Sequence, residues 1–145
     1  MADGACYLDT SALLPYYRHE PASDAVETFL QSREQPVPVS RLVEVEFGSA
    51  LARWVRMSEL DDAQAMLIEH AYLDDLRAGR FDLIPLPPQA YLQARDWLHE
   101  RAVPLRTLDA LHLAACRHIE AQLVTCDQQL HRSAERLGVP SLLLE

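Results

Sequence analysis

The sequence predicts an α/β fold in which helices cover both faces of a mostly parallel sheet. Three observations predict it. Short apolar runs of strand length recur along the chain, at Cys6-Tyr7-Leu8, Pro36 to Ser40, Phe81 to Leu86 and Gln122 to Cys126. Longer stretches with helical periodicity separate them. Parallel strands joined in this way need right-handed helical crossovers, which puts helices on both sheet faces. At 145 residues and 49% hydrophobic composition, the chain can bury one continuous core and has no room for a second. Residues 1–145 are therefore expected to form a single domain.

The elements follow in order. Cys6-Tyr7-Leu8 ends at Asp9, and Thr10-Ser11 open a segment with helix-capping chemistry. Pro21 to Arg33 places a proline in a first helical turn, with Ala25, Val26, Phe29 and Leu30 on one face. Pro36 to Ser40 is extended, and Ser40 is placed to cap the next helix. That helix runs from Leu42 to about Arg56, with Val43, Phe47, Ala50, Leu51 and Trp54 inward. Ser58 with Asp61 resembles a capping box, opening a helix that carries Leu60, Ala63, Leu67 and Ala71 on one face until Gly79 stops it. The two helices are expected to pair. Phe81 to Leu86 reads as a strand, and the prolines after it lead into a helix from about Gln89 to Arg101. Thr107 is a suitable cap for a helix reaching His118 or Ile119. Gln122 to Cys126 is a buried strand ending at Asp127, Gln128 to Leu137 is helical, Gly138 stops it, and Leu142 to Leu144 form a last strand.

Composition narrows the function classes. No apolar run approaches the roughly eighteen residues of a membrane span, and Met1-Ala2-Asp3-Gly4 lacks the basic and then apolar signature of a secretory signal. The expectation is a soluble, cytoplasmic protein with no membrane partner. Cys6, Cys116 and Cys126 are odd in number, lie in or beside apolar runs and show no ligand spacing, which suits reduced core thiols rather than disulfides or zinc. The net charge of −9 is the wrong sign for nonspecific capture of nucleic acid. Every one of the 13 basic residues is arginine, however, whose planar fork matches phosphate oxygens better than an ammonium does.

Ligand sites of open α/β sheets lie beyond the carboxyl ends of the strands. Asp9 and Asp127 each end a strand, so a parallel sheet brings both to one edge although they are far apart in sequence. Each would also serve as a plain helix cap. Asp109 stands in the first turn of its helix, where the helix dipole favours a negative charge, yet beside Leu113 and Cys116 in a helix apolar over much of its circumference. Glu46 and Glu44 flank the apolar stripe of the Leu42 to Arg56 helix on opposite margins, and periodicity does not choose between them. His112 falls on the apolar stripe of its helix and reads as a hydrogen-bonded core histidine rather than a ligand.

Four segments carry a resemblance. Tyr7-Leu8-Asp9-Thr10-Ser11-Ala12-Leu13, Glu46-Phe47-Gly48-Ser49-Ala50-Leu51, Leu108-Asp109-Ala110-Leu111-His112-Leu113-Ala114 and Val124-Thr125-Cys126-Asp127 resemble, in order and spacing, the four acidic motifs of PIN-domain nucleases. More narrowly they resemble toxins of the VapC type, the ribonuclease half of bacterial toxin–antitoxin pairs. The resemblance implies a three-layer α/β/α PIN-like fold and an endoribonuclease that takes RNA as substrate. It implies one or two Mg²⁺ or Mn²⁺ ions held by Asp9, Glu46, Asp109 and Asp127, a cognate antitoxin and a homodimer. It selects Glu46 over Glu44, because Ala50-Leu51 follow Glu46 at the family spacing. Carboxylates without His or Cys partners are hard oxygen ligands suited to such ions. Asp9 is the expected bridging ligand, and Thr10, Ser11 and Thr125 are candidate hydrogen-bond partners of the ligating carboxylates. Arg41, Arg53 and Arg106 lie near the motifs as candidate RNA contacts. A PIN scaffold acting only as a binding module is the competing reading. A phosphatase of the haloacid dehalogenase type would need an aspartate where Ser11 stands.

Overall fold

In a computed structural model of the chain, residues 4–145 are described, and Met1-Ala2-Asp3 of the start lie outside them. Most strands end at a polar residue that begins the next helix. The order is β1 (Cys6–Leu8), α1 (Thr10–Tyr17), α2 (Ser23–Gln31), β2 (Val37–Ser40), α3 (Arg41–Arg56), α4 (Asp62–Arg77), β3 (Phe81–Ile84), α5 (Pro88–Glu100), α6 (Thr107–His118), β4 (Gln122–Thr125), α7 (Gln128–Arg136) and β5 (Ser141–Leu143). The predicted alternation is present, with each strand within two residues of its expected bounds. Every ladder is parallel: β1 pairs with β4, β4 with β5, and β2 with β3. The core is built from the apolar strands, with Tyr7, Leu8, Val39, Leu123 and Val124 fully buried, and from helix faces carrying Leu13, Val43, Leu51 and Leu113.

The expected single sheet is divided by a seam. β1-β4-β5 and β2-β3 form separate hydrogen-bonded groups, although β1 and β2 lie side by side. Pro38 explains the break. The Val37 amide points to β3, donating to the Arg80 carbonyl, so the next position aims at the opposite edge, toward β1. Proline has no N–H to offer there. A side-chain bond crosses the seam instead, between the Tyr7 and Ser40 hydroxyls at 2.8 Å.

Several local expectations are corrected. Ser40 occupies the N-cap position of α3 without capping it, because its hydroxyl is spent on Tyr7. Pro21 lies in the turn before α2 rather than in its first turn. The capping box of α4 is Asp61 with Gln64, while Ser58 sits in a left-handed turn at φ 59°. Thr107 is the first helical residue of α6, with Arg106 at the cap position. The inward face of α4 carries Ala65, Ile68, Tyr72 and Leu76, and Leu67 of the expected stripe is 70% exposed. The Tyr72 ring decides this: packed against Phe47 and Phe81, with Tyr17 edge-on, it turns the smaller apolar residues outward. Gly79 and Gly138 have positive φ just past α4 and α7, as their stop roles require. Among the described residues, no helix is long and apolar enough to cross a membrane.

Candidate active site at the carboxyl edge of the strands

The parallel register sets Leu8 opposite Val124, so the residues following β1 and β4 emerge together. Asp9 and Asp127 both cap helices, α1 and α7, each through one oxygen: Oδ1 of Asp9 accepts from the Ala12 amide at 3.1 Å and Oδ1 of Asp127 from the Leu130 amide at 3.0 Å. Capping occupies one oxygen of each carboxylate, and the second has other partners. Oδ2 of Asp9 accepts from the Thr125 hydroxyl at 2.7 Å, and Ser11 donates to the same carboxylate. The Thr125 hydroxyl in turn accepts from the Asp127 amide, which ties the two strand ends together.

Glu46 lies on α3 near the start of α1, where Oε1 accepts from the Thr10 hydroxyl at 2.8 Å and from His112 Nε2. Asp109, in the first turn of α6, is paired with Arg106 at 3.2 Å, and the same guanidinium lies 3.9 Å from Oδ2 of Asp127. The four predicted acids thus belong to one linked polar belt, Glu46 and Asp9 through the adjacent Thr10 and Ser11, Asp9 and Asp127 through Thr125, Asp127 and Asp109 through Arg106. Glu44 is elsewhere, accepting from Arg41 at 3.3 Å and from the Tyr72 hydroxyl at 2.9 Å.

The electrostatics differ along the belt. Asp9 is 3% exposed, and burial raises its carboxyl above the ordinary value, against the opposing pull of the His112 charge and the bonds from Thr125, Ser11 and the Ala12 amide. Glu46 is less enclosed. Burial alone would raise it, but hydrogen bonds from His112 and Thr10, with the positive charge of His112 and Arg106, hold it below its usual range. Cys126, beside Asp127, keeps its proton, burial pushing its thiol up to about 12, and Cys6 and Cys116 are buried in the core.

A groove of about 470 Å³ opens beside the belt, lined by Thr10, Ser11 and Glu46 on the polar side and by Leu14, Leu42 and Val45 on the apolar side. Arg53 and Arg56 stand at its wall. Of the three predicted RNA-contacting arginines, Arg53 and Arg106 therefore border the site, whereas Arg41 is held by Glu44. Tyr7, Ser40 and His112 were not read from sequence as site residues. The one signal for them was an imidazole in the same helix as Asp109, three residues on, which the apolar pattern assigned to the core; it is in the core and also bonded to Glu46.

The family model for the PIN domain matches residues 6–136. The chain belongs to the PIN-domain family. Within it the chain is of the VapC type: Ribonuclease VapC46 of Mycobacterium tuberculosis is 32% identical over 139 residues, covering 93% of this chain and 94% of that protein. Solved structures share the fold at lower identity. The VapBC2 structure from Rickettsia felis, bound to a DNA fragment from its promoter, matches with a TM-score of 0.72 at 16% identity over 97% of this chain and 99% of the other. VapC20 of Mycobacterium tuberculosis, described as a Sarcin-Ricin loop cleaving toxin, matches with a TM-score of 0.67 at 15% identity over 89% of this chain and 95% of that one.

The donor set of this PIN domain is all oxygen, which fits a hard divalent cation better than a thiol-seeking one. As the side chains stand, no group of three or more His, Cys, Asp or Glu among the described residues is gathered closely enough to hold an ion. Arg106 lies between two of the four acids, its guanidinium 3.2 Å from Asp109 and 3.9 Å from Asp127, where it would compete with an added cation. Replacing it tests that competition. If the belt takes Mn²⁺, Arg106→Gln is expected to tighten that binding by about threefold in calorimetry at low salt, a gain that shrinks at high ionic strength because Arg106 is exposed and screened. Unchanged affinity at low salt would mean that Arg106 does not compete.

Proposed function

We propose that this chain is an endoribonuclease, the toxin of a toxin–antitoxin pair, that hydrolyses RNA phosphodiester bonds with the help of one or two Mg²⁺ or Mn²⁺ ions. The observation that carries the reading is the belt of Asp9, Glu46, Asp109 and Asp127 at one edge of the strands, beside an arginine-bordered groove. These four carboxylates would hold the ions. A divalent cation there would make a water more acidic and neutralise charge gathering on the phosphodiester.

The chain's own groups do the rest. Ser11 and Thr125 hold the Asp9 carboxylate, and Thr10 holds that of Glu46, which restricts the rotamers both side chains can adopt. Arg53 and Arg106, whose forks match phosphate oxygens, orient the RNA backbone. The expected products carry a 5′-phosphate and a 3′-hydroxyl, and sequencing the ends of RNA cleaved by the purified protein tests this directly. Cleavage that persists after chelation, or ends carrying 2′,3′-cyclic phosphates, would sink the proposal.

Metal addition gives a second, activity-independent test. An ion that binds the native belt alone stabilises the fold by mass action, by about 1.4 kcal/mol at ten times its dissociation constant. For a domain of this length that raises Tm by roughly 3 to 6 °C. A melting curve unmoved by millimolar Mg²⁺ and Mn²⁺ counts against the four-carboxylate site.

The antitoxin would seat an apolar peptide in the groove of Leu14, Leu42, Val45 and Ala50, where Val45 is 70% and Leu108 42% exposed. Val45→Glu is expected to weaken that complex at least tenfold in a titration, with the melting temperature of the free protein unchanged because Val45 is exposed. We also expect a homodimer, which sedimentation or light scattering of the purified chain would detect.

A further inference from the structure

We propose that His112 is a positioning residue for Glu46, anchored by Tyr7 and Ser40, and that this buried relay sets which oxygen of Glu46 is offered to the site. The inference rests on the reading of Glu46 as a site carboxylate. Tyr7 and Ser40 are fully buried and His112 is 3% exposed, so three polar side chains sit where apolar ones would pack without desolvation cost. They satisfy one another in a line: Ser40 Oγ to the Tyr7 hydroxyl at 2.8 Å, the Tyr7 hydroxyl to His112 Nδ1 at 2.7 Å, and His112 Nε2 to Glu46 Oε1. The line starts at the end of β2, crosses the β1–β2 seam, and leaves the core only at Glu46.

Chemistry fixes the direction of the last bond. An ionised carboxylate only accepts, so His112 Nε2 carries the proton and donates. Oε1 then receives two donors, Nε2 and the Thr10 hydroxyl, while no protein hydrogen bond reaches Oε2 among the described residues. A glutamate has a long side chain with many rotamers, and two fixed donors on one oxygen remove that freedom and leave Oε2 as the available ligand atom. Asp109 lies one turn earlier on the same helix as His112. Helix α6 therefore supplies one carboxylate and the anchor of another, and holds their separation through a single rigid element.

The test compares Mn²⁺ affinity by calorimetry with kcat and KM for RNA in four variants. His112→Leu, which fills the site without a donor, is expected to weaken Mn²⁺ binding about 10- to 100-fold and to lower kcat with KM unmoved. His112→Gln, whose amide N–H can stand in for Nε2–H, is expected to restore most of both, and Tyr7→Phe to fall between. A folded His112→Leu with wild-type Mn²⁺ affinity and kcat overturns the proposal, provided Glu46→Gln loses them. If Glu46→Gln itself keeps both, the fault lies in the reading of Glu46. Should His112→Leu fail to fold, ring ¹⁵N spectra decide. An Nε2-bound, slowly exchanging proton whose resonance moves in Glu46→Gln supports the relay, and one indifferent to that change overturns it.

Discussion

Asp9→Asn is expected to lower RNA cleavage by about a thousandfold or more, equivalent to about 4 kcal/mol of lost transition-state stabilisation, while the protein stays folded. The fold should survive because the amide keeps Oδ1 for the Ala12 N–H, and its NH₂ can donate to the Thr125 and Ser11 hydroxyls that now donate to the carboxylate. Little apo stability is at risk, since burial already disfavours the Asp9 charge. What disappears is an anionic oxygen at the centre of the belt, and with it most of the attraction for a cation. The same variant should therefore lose the metal-induced rise in Tm, which separates a site effect from a folding defect. Antitoxin binding in the neighbouring groove should remain, because Asp9 does not line that groove. Retained cleavage in a folded Asp9→Asn would remove Asp9 from the mechanism, and retained antitoxin binding with no cleavage in either protein would favour the binding-module reading.

How much of this was legible in the sequence differs residue by residue. The strand-to-helix order needs only periodicity and turn residues, and it places Asp9 and Asp127 on one edge, because a parallel sheet aims all strand ends the same way. The face of α4 was not legible, since a regular run of small apolar residues competes with one tyrosine whose ring buries more area and finds aromatic neighbours from other elements. The seam between β1 and β2 was foreshadowed by Pro38, but its consequence depends on which edge each amide faces, and that is a matter of register. His112 was legible as a core histidine and no further. Its partners Tyr7 and Glu46 are 105 and 66 residues away, and a helical stripe carries no information on contacts at that range.

The remaining exposed point is the glutamate. Two of them lie two residues apart on α3, and the prediction is a contrast: Glu46→Gln lowers cleavage by at least a hundredfold, about 2.7 kcal/mol, while Glu44→Gln leaves it within a few fold. A two-residue offset on a helix is about half a turn, so the side chains must serve different surroundings. Glu46 reaches Thr10 beside Asp9 and His112 on the Asp109 helix. Glu44 is already satisfied by the Tyr72 hydroxyl and Arg41 on the side of α3 that packs toward α4. Its loss should therefore appear in stability, on the order of 1 kcal/mol for a hydrogen bond to a charged group that is partly exposed, or roughly 2 to 4 °C in Tm. Glu46→Gln has the opposite profile. Oε1 can still accept from Thr10 and His112, so the fold is spared, while the charge offered to the site is gone. A cleavage loss in Glu44→Gln matching that of Glu46→Gln would mean that the belt extends around α3, and that neither hydrogen-bond pattern predicts which carboxylate acts.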